Sequence, residues 1–387
     1  MKILIVRSSS GHVDAKGAKY NLQEIGLARA FNKKGHQCDV VYWGGKNKNV
    51  VEIEYEQGKT FKVFYLKAYN FLKNGIYVGL KELSKNYDVV HCGGYDQLES
   101  WLLAKSIPDK LVVYNGSYYS DFNKGYNKKI KVIDRLFLPR FKKNEIFFDT
   151  KSKLSADFLK SRGLKDVFPV GVGIDLEQLK AKEMLESPLS EKVQTLKHDN
   201  KKILMYVGRI EPRRNITFLL DVFKAVHTED ENIKLLMVGR GAKEYKEKCF
   251  AYAKEIGVED AIIYEEYIEQ KFLPLVYSYA DAFLLPTIYE IFGMVLLEAM
   301  YFGVPVITTY NGGSCMLMDD NENGIVIDNF DVDEWKKNVL ELISDDALKN
   351  RIINNAKAKI ENEFTWDALA DKFLINFDKR IEKSGAN

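Results

Sequence analysis

The sequence predicts a doubly wound α/β protein made of two Rossmann-like halves. Two observations carry this prediction. Short apolar runs without polar alternation, as expected of strands buried on both faces, alternate with longer stretches of helical period. The alternation then restarts after a polar, charged break at residues 180–200. A length of 387 residues fits two or three domains.

In the first half, residues 1–180, the strand candidates are Ile3–Val6, Asp39–Trp43, Asp88–His91, Leu111–Tyr114 and Ile146–Phe148. In the second half, residues 200–363, they are Ile203–Val207, Lys234–Val238, Ala261–Tyr264, Ala282–Leu285, Val304–Thr308 and Gly324–Ile327. Sheets of this kind bind ligands beyond the carboxyl ends of their strands. With two halves, the cleft between them is the expected site. Within the last residues, 364–387, Phe364–Ile381 reads as a helix, with Trp366, Leu369, Phe373 and Phe377 three to four residues apart.

Composition narrows the class. Hydrophobic residues make up 46% and charged residues 29%, enough apolar surface to exclude general disorder. No run of eighteen apolar residues occurs, so no transmembrane helix is expected. The first apolar run is too short for a signal sequence. Cys38, Cys92, Cys249 and Cys315 are scattered and read as free thiols of a reducing, cytoplasmic compartment. The net charge of +2 hides a split, +12 in residues 1–180 and −10 in the remainder, so an anionic partner is expected for the first half. No nucleic-acid partner is expected.

The segment 121–143 holds eight basic and two acidic residues. Tyr126, Ile130, Ile133, Phe137 and Phe141 fall on one helical face, with Pro139 expected to kink it. Such a helix either lies on an anionic membrane surface or packs this face into a core.

The residues suited to chemistry gather in two strings. In the first, the strand Ala282–Leu285 ends at Pro286, a loop presents Glu290, and a helix starts near Phe292. Gly293 allows close backbone approach, and the amides of Phe292, Gly293, Met294 and Val295 would hold phosphate at the helix start. Glu290 and Glu298, with seven residues between them, share the sign of a phosphate and so suit hydroxyl groups. Carboxylates that bind hydroxyls, set beside a helix start that binds phosphate, describe a nucleotide sugar. In the second string, Gly208-Arg209-Ile-Glu-Pro-Arg-Arg214, Arg209 and Arg214 leave a strand end and can neutralise a departing diphosphate. His91 closes its strand candidate and is a weaker catalytic candidate. Asp331-Val-Asp333 reads as a helix cap rather than a metal motif. No metal and no cofactor is expected.

These strings resemble glycosyltransferase family 4, retaining enzymes of the GT-B fold, and the similarity spans nearly the whole chain. The glutamate string with its Phe-Gly, Glu-Ala-Met and Gly-Val-Pro-Val context is similar to the family's paired-glutamate motif. Gly208-Arg209 is similar to its Gly-Arg pair, with Arg214 where lysine is usual. Pro169–Asp175 and Phe364-Thr-Trp366 resemble the stretches before the linker and at the last helix. The resemblance implies a metal-independent transferase, hexosyltransferase in type, using a UDP- or GDP-sugar. It assigns Arg209 and Arg214 to the diphosphate, Glu290 to the sugar, Glu298 to the ribose, and Phe292–Val295 to phosphate and sugar. Gly17 matches the second glycine of an N-terminal loop that closes on the donor. Asp96 and Asn115 are weaker acceptor candidates, Asn115 standing where a histidine is common. Residues 1–180 would bind the acceptor and 364–387 would return to that domain. A glycan or lipid-linked acceptor in bacterial surface polysaccharide or glycoconjugate synthesis is implied. A non-catalytic nucleotide-sugar-binding subunit and a nucleotide-sugar epimerase are the rival expectations.

Overall fold

The structure, a computed structural model, describes residues 1–17, 22–122, 124–176 and 185–385. It forms two units, Met1–Asp175 with Phe364–Asn387, and Leu176–Glu363.

The first unit holds β1 (Lys2–Val6), β2 (Gln37–Trp43), β3 (Asn49–Glu56), β4 (Lys59–Leu66), β5 (Ala68–Phe71), β6 (Asn74–Tyr77), β7 (Val89–Gly93), β8 (Leu111–Asn115), β9 (Phe147–Thr150) and β10 (Val167–Pro169). Eight of them form one sheet in the order β10-β9-β8-β7-β1-β2-β4-β3, parallel except where β3 runs against β4. The apolar run Ile3–Val6 makes β1 a central strand, fully covered on both faces. β5 and β6 form a separate two-stranded ribbon.

The helix Lys124–Lys143 runs continuously through Pro139. Its aromatic face is turned into the unit. Phe137 stacks on Trp101, and Phe141 packs against Tyr95 and Phe148. That face is therefore core and is not available to lipid. The terminal helix Trp366–Gly385 packs in the same unit, with Phe373 and Phe377 against Phe31.

The second unit holds β11 (Lys202–Val207), β12 (Ile233–Val238), β13 (Ile262–Glu265), β14 (Ala282–Leu285), β15 (Val306–Thr308) and β16 (Ile325–Val326). All pair in parallel in the order β13-β12-β11-β14-β15-β16. Counted within the unit this is 3-2-1-4-5-6, the doubly wound order whose direction reverses between β11 and β14.

The expected linker at 180–200 needs correction. Pro188–His198 is a helix of the second unit. Ser187 and Ser190 cap it reciprocally, Pro188 occupies its first turn, and Leu189 and Val193 are buried. Part of the predicted linker, residues 180–184, lies outside the described residues.

Candidate functional site

The reversal between β11 and β14 brings both chemical strings of the second unit to one place. The chain leaving β11 passes Gly208 and Arg209 and makes a 3₁₀ turn at Pro212–Arg214. The chain leaving β14 passes Thr287 and reaches Glu290. Hydrogen bonds tie the two loops together. The amide of Ile288 donates to Arg213 O (2.8 Å), and Thr287 Oγ1 donates to the same carbonyl (3.1 Å). Thr309 Oγ1, beyond β15, donates to Thr287 O (2.6 Å), and the amide of Gly312 donates to Glu290 O (2.9 Å). Three strand ends are thus fastened into one rim by buried hydroxyls and amides.

Glu290 is the hub of this rim. Its Oε2 lies 2.5 Å from Arg214 Nη1 and 3.3 Å from Arg213 Nη1. Arg213 Nη2 lies 2.7 Å from Glu211 Oε1, and Arg209 Nε lies 3.5 Å from Glu211 Oε2. The ion chain is therefore Arg209–Glu211–Arg213–Glu290–Arg214, three cations against two anions. Arg214 and Glu290 are buried, whereas the Arg209 side chain is 73% exposed. Arg214 Nη1 is ion-paired with Glu290, and Arg214 Nε has no hydrogen-bond acceptor among the described residues. A guanidinium so deeply placed, with Nε still to satisfy, suits a further anionic or polar group.

Gly293 sits at φ +75°, where a side chain is strained, and starts the helix Met294–Tyr301, which no side chain caps. Phe292 is buried beside it. Glu298 lies on this helix and is buried, and Tyr277 OH donates to its Oε2 (3.2 Å). Burial pushes the Glu298 carboxyl up to about 8. The folded chain therefore holds a proton there that the unfolded chain releases at ordinary carboxylate pH. This contribution to stability is full below the unfolded value and is lost as pH rises through about 8. Thermal stability is expected to fall between about pH 5 and about pH 9, and Glu298→Gln is expected to flatten that fall. Identical slopes in parallel melting curves of the two proteins would contradict this assignment.

Arg213, Glu211, Thr287 and Thr309 escaped the sequence reading. The signal available for them was position alone, since polar residues just past buried strands lie at the ligand-facing edge.

The four candidates of the first unit fare differently. Gly17 closes a turn, its amide donating to Asp14 O (3.4 Å). Asp96 is paired with Lys129 (2.6 Å). His91 does not close a strand, because β7 continues to Gly93. Its ring is buried among Tyr114, Phe373 and Phe377, with Nε2 3.6 Å from Asp149 Oδ2. Burial, aided by Lys151, pushes it down to about 3, so it is a neutral core residue and the catalytic expectation is corrected. Asn115 is also corrected. Its Oδ1 accepts from the amide of Tyr95 (3.1 Å), and its Nδ2 donates to Ser117 O and Ser155 Oγ (2.9 Å each). The amide thus braces the loops after β7 and β8, with both of its N–H bonds used inside the unit.

Residues 189–359 match the family model described as glycosyl transferases group 1. The second unit is thus similar to group 1 glycosyltransferases, and the fold of the chain is of GT-B type. It is 24% identical to an uncharacterised glycosyltransferase of Methanocaldococcus jannaschii, over 93% of this chain and 94% of that one. It is 30% identical to the lipopolysaccharide 1,2-N-acetylglucosaminetransferase of Salmonella typhimurium, over 44% of this chain and 46% of that one. Against that second relative the chain thus spans about half of the length. In fold it is similar to Anabaena HepE solved with UDP and glucose, with a TM-score of 0.71 at 16% identity over 98% of this chain and 100% of that one. Among the described residues no helix is long and apolar enough to cross a membrane.

Proposed function

We propose that this chain is a retaining, metal-independent glycosyltransferase of family 4. It moves a sugar from a UDP- or GDP-sugar to a hydroxyl of a glycan or lipid-linked acceptor. The observation that carries this reading is the buried Arg214 guanidinium, ion-paired with Glu290 at the strand reversal and with its Nε unengaged among the described residues. UDP and glucose in the similarly folded Anabaena HepE support a nucleotide sugar as donor.

In this reading Arg214 and Arg209 take the two phosphates, Arg209 from its exposed position and Arg214 from the rim. The helix start at Gly293 to Val295 faces the same anion, and its dipole complements the charge. Glu290 accepts from sugar hydroxyls with Oε1, which also takes the Ile291 amide (3.0 Å), and Glu298 hydrogen-bonds the ribose. As the bond from the anomeric carbon to phosphate breaks, the electron pair goes to the diphosphate, where fixed cations stabilise it without reorganising. The acceptor oxygen bonds to the same face, and its proton passes to the departing phosphate, so the anomeric configuration is retained. Gly17 and the first unit serve the donor loop and the acceptor, with Asp96 the acceptor candidate that remains.

Purified chain incubated with a panel of UDP- and GDP-sugars and glycan or lipid-linked acceptors tests this. The expected product has the anomeric coupling of the donor in its proton NMR spectrum. An inverted product would overturn retention. Binding of a donor without cleavage or transfer under any acceptor would favour a non-catalytic subunit. An epimerised donor would favour an epimerase.

A further inference from the structure

Beyond this activity, the β5–β6 ribbon of the first unit carries a feature that the transferase site does not use. Its turn is Leu72-Lys73, and both residues are left-handed, at φ +49° and +66°. Two-residue ribbon turns of this hand normally employ asparagine or glycine, and a leucine there is strained. The strained leucine is also 80% exposed, and Tyr69 and Phe71 beside it are 59% and 55% exposed. Strain and exposed apolar surface together make the tip costly for a chain that keeps it in water.

The ribbon's base, by contrast, is fixed. Asn74, buried, accepts from the amide of Leu98 with Oδ1 (2.8 Å) and donates to Leu72 O with Nδ2 (3.0 Å). The amide of Gly75 donates to Ser8 O (2.8 Å), and Tyr77 OH donates to Arg7 O. The tip is therefore a rigid projection from the carboxyl edge of β1. Alongside it, the loop that leads into the helix Leu98–Ser106 holds Asp96, which Lys129 pairs. That lysine lies in the second turn of the basic helix Lys124–Lys143, and Tyr119 and Phe122 ahead of the helix are exposed at 49% and 40%. Segments 67–77 and 116–133 together hold six lysines and one acid, Asp121.

We propose that this tip inserts into an anionic lipid surface, with Tyr69, Phe71 and Leu72 entering the headgroup boundary and the flanking lysines meeting lipid phosphates. The occupant follows from charge and shape. A rigid apolar wedge, with lysines in its own segment and on the neighbouring basic helix, matches a bilayer of negative surface charge, where apolar burial and electrostatic attraction act together. The contact differs from the aromatic helix face expected from the sequence, which is core.

Flotation of the full chain with phosphatidylcholine vesicles, with and without phosphatidylglycerol, tests the proposal. The chain is expected to float only with the anionic vesicles, and less in high salt. Leu72→Asn combined with Phe71→Ser is expected to weaken this by about tenfold or more. Because asparagine suits the left-handed position, the melting temperature of the variant should not fall. Transfer to a soluble acceptor should be unchanged. Equal flotation of variant and wild type would overturn the proposal. So would failure of the wild type to float, or a dimer in solution that the variant dissolves.

Discussion

Arg214→Ala is expected to lower kcat/KM for sugar transfer by about 10²- to 10³-fold, the range typical of losing one fixed donor to a developing oxyanion. Arg214 is the buried cation of the site, and burial is what makes its charge count, since solvent does not screen it as it screens Arg209. The substitution also leaves Arg213, at 3.3 Å, as the cation of this ion chain paired with Glu290. A stability loss of about 2 kcal/mol is expected, below the cost of stranding a buried charge outright. Arg214→Lys separates the two effects. It keeps the charge, loses the planar fork, and is expected to recover all but about tenfold of the rate. Steady-state kinetics beside melting curves of the three proteins gives the comparison. Full activity in Arg214→Ala would remove the leaving-group argument.

Gly312→Ala is expected to damage the site through the backbone, with no charge changed. A β-carbon at 312 would lie 2.2 Å from Ile291 O and 2.4 Å from Glu290 O. Both are backbone atoms, so no side chain can swing aside. The loop carrying Glu290 must retreat, and the bond from the Gly312 amide to Glu290 O must lengthen. A loss of about 3 kcal/mol is expected, at the upper end for overpacking. The surviving folded fraction should bind donor more weakly, because Glu290 no longer meets Arg214. Gly125→Ala makes the control. Nothing lies within 4 Å of its β-carbon position, and alanine suits a helix, so stability should hold or rise slightly. Equal melting temperatures for the two alanine variants would show that the loop has slack the distances deny.

The legible parts of the fold were the buried parallel strands. Ala282–Leu285 coincides with β14, and Leu111–Tyr114 misses β8 by one residue. Such runs are read easily because both faces are covered and every position is apolar. The ribbons β3–β4 and β5–β6 stayed hidden for the opposite reason. Asn49–Glu56 has only Ile53 buried, as befits an edge strand with one open face. Pro188–His198 was hidden by its polar surface, because only Leu189 and Val193 among its apolar residues are buried. In the site, the types and order of Arg214 and Glu290 were legible, but their partners were not. Arg213 and Arg214 are adjacent in sequence, and both converge on Glu290 because the 3₁₀ turn at Pro212–Arg214 folds them onto it. His91 became a weak catalytic candidate because its strand end was set two residues early, whereas β7 runs on to Gly93 and the ring lies in the core.

Calorimetric titration of UDP and GDP, with uridine and guanosine alongside, into wild type and Arg214→Ala tests the central claim that this rim holds a diphosphate. The account predicts that one diphosphate binds the wild type, that its nucleoside binds far more weakly, and that Arg214→Ala costs about 10- to 100-fold in Kd. Undiminished diphosphate affinity in Arg214→Ala, or a nucleoside that binds as tightly as its diphosphate, would contradict it.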